Sequence, residues 1–270
     1  MPAPLPTVPS KVQPKTLPKQ IKLSDEKLRL VVYGEPGSGK TTLALGFPKP
    51  LVIDTDFGLI SVAYAAEDGA DIGESWTPAG SRDLAAMGDF IATKVRTGAY
   101  ETVVIDSLDT LCDQLITELV HEHAAADVHN RRPLLMENIP EQIEYLGNRN
   151  QVREFLWKIA SLGCHVVVTA GARKVGDPVP NRTVPDVAPS IVQVVGKWGS
   201  IVGELQAGIE SPQLTKGPHR LLLTETGPAR LAKSRFADHR PYVVDPTFDS
   251  LWAPVAARFA RSKKSQAKPE

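Results

Sequence analysis

The residues with the clearest chemical potential form a glycine-rich loop, GEPGSGKT, at residues 34–41. The loop fits the pattern G-x-x-x-x-G-K-[ST] and lies between an apolar run at 28–33 and a short helical pattern at 42–47. Its glycines let successive backbone N–H groups point at phosphate oxygens, at the positive end of a helix. Because a preceding strand and a following helix are the context that confirms this motif, the sequence predicts a phosphate-binding loop.

Individual residues of the loop have predicted roles in holding a nucleotide. We expect Lys40 to reach the β- and γ-phosphates and Thr41 to ligate Mg²⁺, so ATP and Mg²⁺ are the predicted cofactors. The residues expected to line the nucleotide are Gly34, Glu35, Pro36, Gly37, Ser38, Gly39, Lys40, Thr41 and Thr42.

Three aspartates close predicted strands. Asp106 ends the apolar run VVID, where a carboxylate holds Mg²⁺ through water in phosphate-loop enzymes. The alternative is that Asp106 caps the helix that follows. Asp54 and Asp56 close the run 50–56, which we expect to lie beside the first strand with both acids on one face. One of them could polarise water against the γ-phosphate, or both could belong to a solvated turn before Gly58.

The order of apolar runs and helical patterns predicts an α/β fold with a doubly wound, mostly parallel sheet and right-handed crossovers. Predicted strands lie at 28–34, 50–56, 101–107 and 164–171, and predicted helices at 81–97, 108–127, 153–163 and 187–195. A long loop rich in proline, glycine and basic residues is predicted at 172–189. C-terminal β-hairpins are predicted from the runs 201–209, 219–226 and 229–236.

Composition indicates a globular core with polar ends. The chain has 270 residues, of which 42% are hydrophobic and 23% charged, and its 31 basic residues balance 31 acidic ones. Net charge therefore gives no argument for a nucleic-acid partner, although a local patch could exist. We expect a disordered Pro/Lys-rich arm at 1–22, an ATPase core at 23–260 and a polar basic tail at 261–270.

Two further features bear on the compartment. Cys112 and Cys164 are isolated in apolar segments, which predicts buried structural thiols. No apolar run approaches the roughly 20 residues of a membrane span, and the N-terminus lacks the apolar region of a secretory signal. Both features favour a cytoplasmic protein.

Taken in order, the stretches GEPGSGKTT, VIDTD, VVIDS and VVVTAG resemble the RecA-like ATPase core. The resemblance is stronger to the short phage-encoded RecA-like proteins that assist single-strand annealing or recombination, and it spans about residues 28–240. It implies a P-loop ATPase, stimulated by DNA, that forms a ring or filament on single-stranded DNA in the host cytoplasm. A single-strand binding protein is a further partner that this resemblance suggests.

The resemblance also implies roles for residues at strand ends. Asp56 matches the carboxylate that activates water, where RecA itself has glutamate, and Thr169 matches the polar residue that senses the γ-phosphate. The phage proteins often place a His-Glu pair just after Thr169. This chain has Gly171, Ala172 and Arg173 there, which predicts a different link between nucleotide and DNA.

Two basic clusters complete the predicted site. Lys233 and Arg235 resemble the Lys-x-Arg pair that related ATPases insert into a neighbouring active site, and on a strand both would project from one face. The alternative is an exposed basic strand. In RecA-like cores, loops that follow the third and fourth strands contact DNA. The resemblance implies that the corresponding loops of this chain bind DNA, and the alternative is that they are merely solvated. Their cations are Arg131, Arg132, Arg173, Lys174 and Arg182.

Other functions compatible with a phosphate loop are a P-loop kinase or another small-molecule phosphotransferase. The long segment 172–189 and the late Lys-x-Arg pair argue against them. A GTPase is disfavoured because no Asn/Thr-Lys-x-Asp motif occurs. A third possibility is a nucleotide-stabilised assembly factor with negligible turnover, which would follow if Asp56 is a poor base.

Overall fold

A computed structural model describes residues 26–59, 75–76, 83–126, 139–176, 182–207, 221–223, 230–236 and 242–266. The predicted arm at 1–22 and two predicted DNA contacts, Arg131 and Arg132, lie outside these described residues. No helix in the described part of the chain is long and apolar enough to cross a membrane.

The described secondary structure consists of strands interspersed with helices. The strands are β1 (Arg29–Tyr33), β2 (Pro50–Asp54), β3 (Ser75–Trp76), β4 (Thr102–Asp106), β5 (His165–Ala170), β6 (Ala172–Val175), β7 (Arg182–Pro185), β8 (Ile201–Gln206), β9 (Leu221–Leu223), β10 (Lys233–Ser234) and β11 (Tyr242–Val244). The helices are α1 (Lys40–Leu45), α2 (Asp83–Arg96), α3 (Leu108–Ala126), α4 (Gln142–Ala160), α5 (Pro189–Trp198) and α6 (Phe248–Gln266).

The main sheet has the order β11-β9-β8-β1-β5-β4-β2-β3. The strands from β8 to β3 are parallel, whereas β9, β10 and β11 add antiparallel pairs at the β8 side. The predicted α/β class and mostly parallel sheet are confirmed. The expectation that β2 lies beside β1 is wrong, because β5 and β4 separate them. Every residue of β5 is buried, as suits a strand with neighbours on both sides and helices on both faces.

Three further predictions about elements need correction. The described residues of the segment 172–189 are largely not a loop, because β6 and β7 pair in antiparallel fashion and α5 begins at Pro189. Helix α4 begins at Gln142 rather than at 153, and Glu144 accepts a hydrogen bond from the Glu141 N–H at 2.7 Å at its start. Helix α6 was not predicted, and it continues through residue 266 into the predicted tail.

Alternate side chains of the central strands bury against two helical layers, as expected for a sheet covered on both faces. One layer packs helices α2 to α5 against the sheet, and its largest fully buried side chain is Trp198. The other layer packs α1 and α6 against the opposite face, with Leu43 and Leu251 in its core. Cys112 and Cys164 are buried free thiols, as predicted. The helices thereby hold the strand ends that carry the candidate site.

Candidate nucleotide-binding site

The phosphate loop runs from the end of β1 into α1, and its glycines are required by its backbone. Gly37 and Gly39 have φ of 76° and 91°, a region that costs little only for glycine. A Cβ on Gly34 would lie 2.3 Å from the carbonyl oxygen of Leu205 in β8. The Ser38 hydroxyl is buried and has no hydrogen-bond partner among the described residues. A phosphate oxygen would satisfy this hydroxyl, so the loop fits the ligand that its sequence predicts.

Lys40 is folded back over the loop. Its Nζ donates hydrogen bonds to the carbonyl oxygens of Gly34 at 2.9 Å and Glu35 at 3.0 Å. Partial burial lowers the pKa of Lys40, whereas the nearby carboxylates, led by Asp109 and Asp106, raise it. The ammonium group can therefore exchange two backbone carbonyls for phosphate oxygens without leaving the loop.

Asp106 joins the phosphate loop to β4 and β5. Its Oδ2 accepts a hydrogen bond from Thr41 Oγ1 at 2.7 Å, and its Oδ1 accepts one from Thr169 Oγ1. All three side chains lie at the carboxyl ends of strands or the start of α1, and Asp106 is only 3% exposed. Carboxylate and hydroxyl oxygens are the hard ligands that Mg²⁺ prefers, so this donor set fits the predicted metal. Capping of α3 does not describe these contacts, since the hydroxyls of Ser107 and Thr110 pair at its first turn instead.

Asp54 and Asp56 share one turn. The Gly58 N–H lies 3.2 Å from Asp54 Oδ1 and 3.0 Å from Asp56 Oδ1, as expected for the turn interpretation. β2 ends at Asp54, so the two acids do not share a strand face, and Asp54 is buried whereas Asp56 is exposed. Partial desolvation and the charge of Asp106 nevertheless raise the pKa of Asp56, which brings it into the electrostatic field of the site.

A cleft of about 410 Å³ adjoins the loop on the side of α1. It is lined by Thr42, Leu43 and Gly46, by Leu205 of β8, and by the segment 245–247. A largely apolar cleft with a few polar groups beside a phosphate loop could hold a nucleobase. Sequence reasoning missed 245–247, because an Asp-Pro-Thr turn far along the chain has no local signal of a ligand.

The predicted DNA contacts that the structure describes lie on the β6–β7 hairpin. Arg173 Nη2 donates to the Val187 carbonyl oxygen at 2.6 Å, and its Nε lies 3.5 Å from Asp186 Oδ1. Lys174 is exposed, and Arg182 Nε is buried without a hydrogen-bond partner among the described residues. Since the hairpin begins just after β5, it emerges at the same sheet edge as the phosphate loop.

Lys233 and Arg235 lie at the opposite edge. Lys233 Nζ donates to the carbonyl oxygens of Gly196 and, at 3.4 Å, Lys197, and Arg235 Nη2 donates to that of Lys197 at 2.6 Å. These carbonyls are at the end of α5, whose dipole favours cations there. β10 pairs with the start of β8, whereas the phosphate loop follows the end of the neighbouring parallel strand β1. The two cations therefore do not reach the phosphate loop of their own chain.

A family model described as an AAA domain matches residues 26–236. The chain belongs to this family. The match covers the phosphate loop, Asp106, the hairpin and the Lys-x-Arg pair, and it ends before the segment 245–247 that lines the cleft. No match is found among curated proteins. The protein thus has an AAA-type P-loop NTPase domain, which implies nucleotide binding.

Proposed function

We propose that this AAA-domain protein is a RecA-like ATPase that binds single-stranded DNA as an oligomer and supports DNA annealing or recombination. The observation that carries the ATPase part of the proposal is the contact between Thr41 and Asp106 beside Lys40. Mg²⁺, when held by this pair, would neutralise charge on the phosphates of ATP. Lys40 would bind those phosphates in place of the loop carbonyls, and Thr169 would hold Asp106 in position.

Asp56 is the proposed acceptor of the proton from the attacking water. Its side chain is exposed, so water can reach it, and its raised pKa makes it a better base than an ordinary surface aspartate. The hydrogen bond from the Gly58 N–H orients one of its oxygens. Asp54, which is buried in the same turn, is the less suitable of the two acids.

The β6–β7 hairpin is the proposed contact for single-stranded DNA. Lys174 is exposed, and Arg173 and Arg182 add positive charge on the same short hairpin. Cations of this kind bind backbone phosphates and so bind without sequence preference. The hairpin shares its sheet edge with the nucleotide, which would let nucleotide binding influence DNA binding.

The oligomer is proposed from the charges at the opposite edge. Burial and the neighbouring Arg235 lower the pKa of Arg29, and burial, Arg235 and Arg29 lower that of Lys233 to about 8. An anion at this edge would stabilise the charged forms of Arg29 and Lys233, whose pKa values burial and neighbouring cations lower. In a head-to-tail assembly, that anion would be the nucleotide of the next subunit, held at its phosphate-loop edge. Such a transferred cation can be worth roughly 10³–10⁵ in rate.

The test is ATP hydrolysis with and without single-stranded DNA, measured beside the molecular mass in both states. We expect DNA to stimulate hydrolysis and to increase the molecular mass of the protein assembly. Lys40→Ala is the control for hydrolysis that does not depend on the phosphate loop. A monomer that hydrolyses ATP only when a small-molecule acceptor is added would replace this proposal with a phosphotransferase.

A further inference from the structure

Asp109 contacts the start of the hairpin through the backbone. Gly171, which separates β5 from β6, donates its N–H to Asp109 Oδ2 at 3.1 Å. A Cβ built on Gly171 would lie 3.0 Å from that same oxygen and 3.4 Å from Asp186 Cβ. Glycine at position 171 therefore allows a close approach between the first turn of α3 and the hairpin.

The charge of Asp109 also acts on the phosphate loop, and its second oxygen has no hydrogen bond within the described part of the chain. Asp109 Oδ1 is buried and has no hydrogen-bond partner among the described residues. Among the charges that raise the pKa of Lys40 against the effect of its burial, that of Asp109 exceeds that of Asp106. The charge of this carboxylate thus acts on the phosphate-binding lysine, and its Oδ2 holds the start of the hairpin.

We infer that Asp109 is a positioning residue that couples phosphate binding at the phosphate loop to the position of the β6–β7 hairpin. The negative charge of phosphates bound by Lys40 would repel the Asp109 carboxylate. Because the same carboxylate holds the Gly171 N–H, its displacement would move the start of the hairpin. The inference rests on the proposed nucleotide binding and does not require that the hairpin binds DNA.

Contacts at the hairpin base would spread such a movement to both strands. The Gly171 carbonyl oxygen accepts a hydrogen bond from the Asp186 N–H at 2.9 Å, directly after β7 ends. Arg173 in β6 reaches the Val187 carbonyl oxygen at 2.6 Å. Gly171 is consequently bonded to α3 through its N–H and to the residue that follows β7 through its carbonyl oxygen.

Hydrogen–deuterium exchange of the full chain tests the inference on peptides that cover β6 and β7. Exchange is compared without nucleotide, with Mg-ADP and with Mg-ATPγS, for the wild type, Asp109→Ala and Asp109→Asn. The control is Asp113→Asn, which removes a charge from an exposed position one turn later on the same helix. Affinity for each nucleotide is measured on the same samples with a fluorescent analogue.

We expect the hairpin exchange of the wild type and of Asp113→Asn to change by about fivefold or more between nucleotide-free and ATPγS states. Both Asp109 variants should bind ATPγS but lose that response, and Asp109→Asn controls for any misfolding of the alanine variant. A response retained in Asp109→Asn, or a wild type that binds ATPγS with an unresponsive hairpin, overturns the inference alone. A wild type that binds no nucleotide overturns the proposed function and this inference together.

Discussion

Lys40 has hydrogen-bond partners in the loop but is not part of the hydrophobic core, so its charge can be removed without disturbing the fold. We expect Lys40→Ala to weaken ATP binding about 10- to 100-fold, the range expected for losing a charge-assisted contact of about 1.5–3 kcal/mol. Thermal unfolding should be unchanged. Lys49→Ala is the control, because Lys49 forms an exposed ion pair with Glu101 that contributes little. ATP titration of both variants checks this, and equal affinities would contradict the phosphate-loop assignment.

Substitution by asparagine should affect ATP binding and hydrolysis differently at Asp56 and at Asp106. Asp56→Asn keeps the oxygen that accepts from Gly58 but loses proton uptake, so ATP should bind while hydrolysis falls about 10²–10⁴-fold. Asp106→Asn replaces one of two oxygens that Thr41 and Thr169 contact, and it should weaken the Mg²⁺-dependent part of ATP binding as well. Binding with and without Mg²⁺, beside single-turnover hydrolysis, separates them. Identical affinity and turnover in the two variants would remove the distinction between their roles.

At the scale of elements, continuous apolar runs made the buried strands β1, β2, β4 and β5 predictable, because strands covered on both faces have no polar alternation. The start of α4 was hidden, since Glu144 and Asn148 are polar residues on its buried face. Asn148 Nδ2 donates to the Cys112 carbonyl oxygen at 2.9 Å, a partner far away in sequence. The order of strands is likewise set by non-local pairing, which no single run reveals.

The candidate site was predictable to the same extent. Lys40, Thr41 and Asp106 follow from local motifs, and the structure brings them together. Asp109 was not identified as a site residue, because it lies in the first turn of α3, beyond the strand end where the motif places its carboxylate. The Gly171 N–H becomes its partner only because α3 packs beside the end of β5. The sequence around Asp109 gives no sign of that contact.

The proposed binding of single-stranded DNA by the β6–β7 hairpin predicts how affinity changes with salt. If Arg173, Lys174 and Arg182 bind phosphates, affinity for single-stranded DNA should fall with salt by about 0.7 in log–log slope for each phosphate neutralised. The triple alanine variant should have a flatter slope and weaker binding to every sequence alike. A matched control replaces exposed cations away from the hairpin, Lys49, Arg96 and Lys158. Fluorescence anisotropy at several salt concentrations measures both slopes, and an unchanged triple variant would locate the DNA elsewhere.

His165, the first residue of β5, should make the stability of the fold depend on pH. The imidazole is 4% exposed, accepts a hydrogen bond from the Leu28 N–H at 3.1 Å, and packs against Phe248 and Trp252. Burial lowers the pKa of His165 to about 4, so the neutral form is the folded one. Below its unfolded pKa of about 6.5, the unfolded chain binds a proton that the folded chain refuses, and stability falls towards pH 4.

Acidification from pH 7 to pH 5 should therefore lower the free energy of unfolding by about 2 kcal/mol through His165. His165→Asn keeps an acceptor near the Leu28 N–H and cannot titrate, so it should be less stable at pH 7 but lose about 2 kcal/mol less on acidification. His121→Asn, at an exposed position, should behave like the wild type. Urea unfolding at both pH values measures the difference. A wild-type pH dependence in His165→Asn would show that the imidazole is not buried in its neutral form.

For the whole molecule, the two edges of the parallel sheet carry complementary chemistry. The carboxyl edge holds the phosphate loop, Asp106 and the hairpin, and the opposite edge holds Lys233 and Arg235 at the end of α5. A single chain cannot join these edges, because they are separated by the length of the strands. Two chains stacked head to tail can, and repetition of that contact builds a ring or a filament.

Hydrolysis should then depend on a residue from the next subunit. We expect the specific activity of the wild type to rise with protein concentration in the presence of ATP and DNA. Arg235→Ala should lose turnover by about 10³-fold or more while binding ATP through its own Lys40. A mixture of Arg235→Ala with Lys40→Ala should regain part of the activity, since some interfaces then pair an intact loop with an intact arginine. If the variants co-assemble, as measured by size, and their mixtures stay inactive at every ratio, Arg235 does not act across the interface.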